Sequence, residues 1–274
     1  MTSDSTKAAF VTGGGSGIGK ALSKALAERG MAVCVTDIDG DAAARVGKEC
    51  GSRATALALD VRDPAAVHSA IEGFATERGR LDYVFNNAGI GTAGETNDIP
   101  LDAWRRIVDI NLYGVLHGVL AAYPLMLKQG FGHIVNTASL AGLGPAPLFA
   151  PYALTKHAVV GLSTSLRVEA AARGVRVSVF CPAAVETPIL DSINPPEFKI
   201  GTAPDARRFL TALAGPPYSV EKAVEELLVA LEANQGVIVL PARARVAWRL
   251  GRWFPALVEK LSRSALAAER KALK

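Results

Sequence analysis

Cysteine, histidine and aromatic residues are all scarce here: 3 Cys, 4 His and an aromatic share of 6% in 274 residues. Cys34, Cys50 and Cys181 have neither the density of a disulfide scaffold nor metal-ligand spacing, which fits a reducing compartment and small buried thiols. His68, His117, His133 and His157 show no metal spacing either, so no metal site is expected. The first ten residues, MTSDSTKAAF, lack a basic region followed by an apolar one. No run reaches the roughly 18 apolar residues of a membrane span, and a cytoplasmic, soluble body is expected. There is no internal repeat and no low-complexity tract.

Charge is present but uneven. Residues 241–274 hold nine Lys or Arg against Glu259 and Glu269, a net of +7, which leaves −3 for the rest of a chain whose total is +4. The basic balance belongs to the tail, and the body is not a nucleic-acid surface by charge.

Half the residues are hydrophobic, enough for a large core. Apolar runs of strand length, Ala8–Val11, Ala32–Thr36, Thr55–Leu59, Tyr83–Phe85, His133–Asn136, Val175–Phe180 and Val237–Leu240, alternate with helix-period segments. They lack clean polar alternation, as strands covered on both faces do. The pattern predicts an α/β fold: a doubly wound parallel sheet of about seven strands with helices on both faces, as one domain over 1–240. Residues 188–217, with their paired prolines in NPPEF and AGPPY, are expected to form an irregular or broken-helix insertion of the kind that covers a substrate. Residues 241–274 are read as a basic amphipathic extension.

The stretch FVTGGGSGIGKAL raises three phosphate-loop readings. The P-loop pattern is met by Gly14, Gly19 and Lys20 but fails at Ala21, which has no hydroxyl for Mg²⁺. G-x-G-x-x-G meets a non-glycine in every register. Thr12-Gly13-x-x-x-Gly17-Ile18-Gly19 remains, following a strand and opening a helix, where N–H groups and the helix dipole hold a pyrophosphate. Asp37, 18 residues after Gly19 at the end of the second strand, is placed to accept ribose hydroxyls.

That loop, NNAG at Asn86–Gly89, IVNTAS ending at Ser139, YALTK with Tyr152 and Lys156, and Asn111 in DINLYG stand in one order over roughly residues 7–240. Together they resemble the short-chain dehydrogenase/reductase family of the Tyr-x-x-x-Lys type. The resemblance implies a Rossmann-like fold and an oxidoreductase acting on CH-OH, with NAD(P) as acceptor. It implies a catalytic set of Ser139, Tyr152, Lys156 and Asn111. Cofactor contacts are implied at Gly13, Ser16, Gly17, Ile18, Gly19, Asp37, Asp60, Val61, Asn87, Ala88, Gly89, Tyr152, Lys156, Pro182, Val185 and Thr187. It also implies a homodimer or homotetramer. One departure stands out: CPAAVETP has Ala183 where the family commonly has glycine.

Chemistry gives these positions reasons. Tyr152 and Lys156, four apart, share a helix face. Bringing a phenol from pH ~10 to near neutrality takes about 4 kcal/mol, of which one charge at about 5 Å and an effective dielectric of ~20 supplies roughly 3 kcal/mol. Burial works against this. The resemblance implies Tyr152 as general acid/base, Ser139 as donor to the reacting oxygen, Lys156 also on the nicotinamide ribose, Asn111 on a relay water and Thr187 on the carboxamide. Asp37 opposes a 2′-phosphate, so NAD is expected over NADP. Apolar residues in LAGLGPAPLFAP and in the insertion (Ile189, Leu190, Ile193, Phe198, Phe209, Leu210, Leu213) favour an apolar alcohol or ketone.

Two other classes stay open: a catalytically silent dinucleotide-binding regulator, and a membrane-surface adaptor. In the tail, Val246, Leu250, Trp253 and Phe254 share one helix face and Arg245, Arg249 and Arg252 another. Pro255 breaks the pattern, and a second amphipathic turn follows with Leu257, Val258 and Leu261. Either peripheral membrane contact or closure over the cleft or a neighbouring subunit would use such a face.

Overall fold

The computed structural model describes residues 6–273. Residues 1–5, on which part of the leaderless reading rests, and Lys274 lie outside them.

The apolar run Ala8–Val11, with Thr12, forms β1, buried along its length. β2 (Ala32–Asp37), β3 (Ala54–Ala58), β4 (Tyr83–Asn86), β5 (Gly132–Thr137), β6 (Val175–Pro182) and β7 (Val237–Leu240) complete one sheet in the order β3-β2-β1-β4-β5-β6-β7, every pair parallel. The expected doubly wound sheet is thus present. Direction reverses at β1, whose neighbours are β2 and β4, and a crevice opens beyond the strand ends at such a switch.

Alternate residues feed two cores. Phe10, Val84, Ile134 and Val177 pack against α3 (Pro64–Arg78), α5 (Gly114–Gln129) and α6 (Ala150–Ala170). Val11, Val35, Phe85 and Phe180 pack against α1 (Gly17–Glu28), α2 (Gly40–Cys50) and α8 (Val220–Glu232). Between α3 and α5 lies α4 (Leu101–Val108), joined to α5 by one π-helical turn, Asp109–Tyr113. As a single run, Leu101–Gln129 is long and apolar enough to cross a membrane by length and composition, although no uninterrupted apolar stretch is visible there in the sequence. Val115, Val119, Ala122 and Met126 on this run are committed to the sheet.

Two expectations need correction, and the insertion between them takes a definite form. The third strand is Ala54–Ala58 rather than Thr55–Leu59. It is the sheet edge, half exposed, and burial there could not mark its ends. The insertion contains a full helix, α7 (Ala206–Ala214), started by Asp205, whose side chain accepts from the Arg208 N–H. In the tail, α9 (Ala242–Trp253) is followed by more than an amphipathic turn: α10 spans Pro255–Ala272. Proline lacks an N–H that the first helical position does not need, so Pro255 ends one helix by starting the next.

Candidate active site

The loop after β1 is built around a left-handed turn. Gly13 sits at φ +63°, and a Cβ on Gly19 would lie 2.0 Å from the Gly13 carbonyl oxygen, so neither position accepts a side chain. Thr12 is the staple. Its Oγ1 donates to the Phe85 carbonyl at 3.3 Å and accepts from the N–H groups of Asn87 at 3.0 Å and Ala88 at 3.1 Å. Asn87 answers with Nδ2 to the carbonyls of Thr12 and Gly13 at 3.1 and 3.3 Å. The NNAG segment and the glycine loop are therefore one clamped unit. Thr12 was not among the expected site residues, although it directly precedes the first glycine.

At the start of α1, Ser16 makes no side-chain capping bond, and the N–H groups of the first turn have no intrahelical partner. This donor set faces the cavity and fits a pyrophosphate. Asp37 accepts from the Gly15 N–H at 2.9 Å and from the Asp39 N–H at 3.1 Å, which holds its carboxylate at the loop's edge. Asp60 lies just beyond β3. Its carboxylate is taken by Arg62 Nε at 2.9 Å and held below the usual carboxylate range chiefly by that side chain. Val61 is buried, with its carbonyl on His117 Nδ1 at 2.8 Å.

The reactive side chains converge from β5, the π turn and α6. Ser139 Oγ accepts from the Ala141 N–H at 3.2 Å and donates to the Pro182 carbonyl at 3.5 Å, and it lines the same cavity as Tyr152. Lys156, 3% exposed, donates Nζ to the Thr137 carbonyl at 2.8 Å and lies 5.5 Å from the Tyr152 ring centroid. Burial pushes its pKa down to about 8. Burial also pushes the Tyr152 phenol above its ordinary value, with only the Ser139 side chain opposing it. In the protein alone burial is the larger effect on the phenol, and the Lys156 ammonium is directed at a carbonyl. Asn111, fully buried, exchanges bonds with the backbone of Ile90, Oδ1 from the N–H and Nδ2 to the carbonyl, both at 2.9 Å. The π turn gives it this inward aim, a distortion that recurs at functional sites.

These groups border a cavity of about 970 Å³. Gly13, Ser16, Gly17, Ile18, Asp37, Asp60, Val61, Asn87, Ala88, Gly89, Ser139, Tyr152, Lys156, Pro182, Val185 and Thr187 all reach its wall. Gly19 and Asn111 do not, and act from behind it. Ala183 also lines it and is absent from the positive-φ residues, so the backbone here tolerates a Cβ. Apolar side chains also line it: Leu143, Phe149, Ile193 and Leu210, three of them packed in one cluster with Tyr152, and Trp248, Phe254 and Val258 of the tail. The extension thus contributes side chains to the cavity wall. α10 is anchored by Arg208 to the buried Glu269 at 2.6 Å and by Arg270 to Glu95 at 2.6 Å.

A parallel sheet with a phosphate-fitting loop at its switch point and a Ser-Tyr-Lys set beside it defines a dinucleotide-dependent oxidoreductase of the doubly wound class. A family model described as short chain dehydrogenase matches residues 7–197, and the chain belongs to that family. It is 37% identical over 188 residues to a cyclohexanol dehydrogenase of Acinetobacter sp. (strain SE19), covering 67% of this chain and 75% of the relative. It is 38% identical over 188 residues to a 2-dehydro-3-deoxy-L-rhamnonate dehydrogenase (NAD(+)) of Sphingomonas sp. (strain SKA58), covering 68% and 75%. A short chain dehydrogenase/reductase from Burkholderia phymatum in complex with NAD superimposes with a TM-score of 0.82 at 30% identity, covering 94% of this chain and 96% of that one.

Proposed function

We propose that this protein is an NAD-preferring oxidoreductase that interconverts an apolar secondary alcohol and its ketone, with Tyr152 as general acid/base. The observation carrying this reading is the convergence of Ser139, Tyr152 and a buried Lys156 on one cavity that also holds the glycine loop.

Gly13, Ser16, Gly17, Ile18 and Gly19 would hold the pyrophosphate, Asp37 the adenosine ribose, and Asp60 with Val61 the adenine. Asn87, Ala88 and Gly89 would support the middle of the cofactor, and Pro182, Val185 and Thr187 the nicotinamide end. When bound, the nicotinamide supplies the hydride acceptor or donor. Ser139 would donate to the reacting oxygen. Tyr152 would take the alcohol proton or return it to the ketone, a role commonly worth about 10²–10⁴ in rate. Lys156, charged up to about pH 8, would stabilise the phenolate and hold the nicotinamide ribose. Asn111 would position a relay water through Ile90. The carboxylate of Asp37 at the loop edge supports NAD, since a 2′-phosphate would meet like charge, and each 1.4 kcal/mol is tenfold in preference.

A cytoplasmic homodimer or homotetramer completes the reading. It is supported by exposed Leu120 on α5 and by Leu154 and Val168 on α6, and light scattering tests it. The deciding experiment is turnover of NAD and NADP with a panel of hydrophobic secondary alcohols and ketones. Reduction of NAD by alicyclic or longer alcohols is expected. Binding of dinucleotide without turnover on any of them would overturn it in favour of the silent regulator.

A further inference from the structure

Amphipathic helices of globular proteins turn their apolar stripe to the core. α9 does the reverse. Its small Ala244 is buried, while Val246, Leu250 and Trp253 lie together on the far side, each more than half exposed and Trp253 at 82%. Phe254, Leu257 and Leu261, also more than half exposed, carry the strip across the elbow into α10. Basic residues flank it on both helices: Arg245, Arg249, Arg252 and Lys260, none held in an ion pair among the described residues, and Arg263, paired with Glu259 at 2.5 Å. The strip is also continuous with the cavity. Leu250, Phe254, Leu257 and Leu261 line its mouth, whereas Val246 and Trp253 stand outside it.

We propose that the α9–α10 elbow docks on an anionic bilayer and presents the cavity mouth to the bilayer's apolar layer. Charge selects this occupant. A second copy would set a +7 segment against its like, whereas an anionic surface attracts it, and Trp and Phe beside Arg and Lys suit the headgroup boundary. Delivery of an apolar substrate directly from the lipid rests on the oxidoreductase reading. Docking does not.

The test is sedimentation of the full chain with mixed phosphatidylcholine and phosphatidylglycerol vesicles and with pure phosphatidylcholine, at low and high salt. Binding is expected to the anionic vesicles and to weaken with salt. Arg245→Gln with Arg249→Gln is expected to lose roughly 30-fold in affinity, at about 1 kcal/mol per basic residue near the surface. Val246→Ser with Trp253→Ser is expected to make the remaining binding wholly salt-labile. Brominated lipid is expected to quench Trp253, an effect absent in Trp253→Phe. These four positions do not line the cavity, so thermal unfolding and oxidation of a water-soluble alcohol stay at the parent level. No sedimentation at low salt, or equal binding by parent and variants, overturns the proposal whatever the enzyme assay reads. Self-association without vesicles that the same variants abolish overturns it in favour of a second copy.

Discussion

His133 gives a stability prediction whose magnitude follows from one hydrogen-bond chain. It lies on β5, 3% exposed, with Nε2 at 2.8 Å from Ser178 Oγ. Ser178 spends its own proton on the Gln235 carbonyl at 2.6 Å, so its oxygen can only accept, and Nε2 must carry the imidazole proton. Nδ1 is buried without a partner. A second proton would have to sit there, desolvated and facing the charges of Arg176 and Arg167, and the pKa is pushed down to about 3 from 6.5. In the unfolded chain the ring takes up its proton near pH 6.5. Between that value and about pH 3 the unfolded state binds more protons, and the folded state loses stability as pH falls. From about pH 7.5 to about pH 5 the loss due to this one residue is 1.5 pH units at 1.36 kcal/mol each, or about 2 kcal/mol. His133→Gln keeps a donor for Ser178 and removes the titration. Urea unfolding of parent and variant at both pH values isolates it, because the other histidines and the carboxylates cancel in the double difference. The parent is expected to lose about 2 kcal/mol more than the variant. Equal losses within about 0.5 kcal/mol would refute the assigned tautomer and its buried, unpartnered nitrogen.

Other substitutions test the site directly. Tyr152→Phe removes only the ionisable oxygen and is expected to cut turnover about 10²–10⁴-fold with dinucleotide affinity unchanged, as read by calorimetry beside kinetics; near-normal turnover would remove Tyr152 from its role. Gly19→Ala forces a methyl to within 2.0 Å of the Gly13 carbonyl, and dinucleotide binding is expected to fall below detection while the far side of the sheet keeps its hydrogen-exchange protection. Asp37→Ser is expected to raise catalytic efficiency with NADP relative to NAD by about tenfold or more, and an unchanged ratio would mean that this carboxylate does not face the 2′ position. Phe254→Ala, at the cavity mouth, is expected to raise KM for a bulky alcohol with little change in kcat, since a wall residue contributes binding shared by ground and transition states.

The reactive half of the site is legible in the sequence because each residue stands at a fixed offset from a regular element. Tyr152 and Lys156 share a helix face, Ser139 follows the end of β5 by two residues, and the glycine loop joins β1 to α1. The parallel pairing of the strands follows from the alternation of strand and helix. The cavity walls are legible in part. Leu143, Ile193 and Leu210 stand in segments whose apolar composition already points to a substrate wall, whereas Trp248 joins them only through tertiary packing. α7 was hidden by flanking proline pairs, α10 by a proline that reads locally as a stop, and the true ends of β3 by its place at the sheet edge. Desolvation of Tyr152 depends on how many atoms surround it, a property of the packed state, so the balance between burial and Lys156 could be posed from spacing but decided only by geometry.

The tail's share of the cavity wall has a further consequence. Every side chain assigned to proton transfer precedes residue 157, while that share is drawn from residues 247–262, beyond the stretch matched by the family model at 7–197. Part of the cavity wall is thus written on a different length of chain from the residues proposed for proton transfer, while Leu143 and Phe149 are not. Changes to the last few turns of helix can therefore reshape the space without touching Ser139, Tyr152 or Lys156.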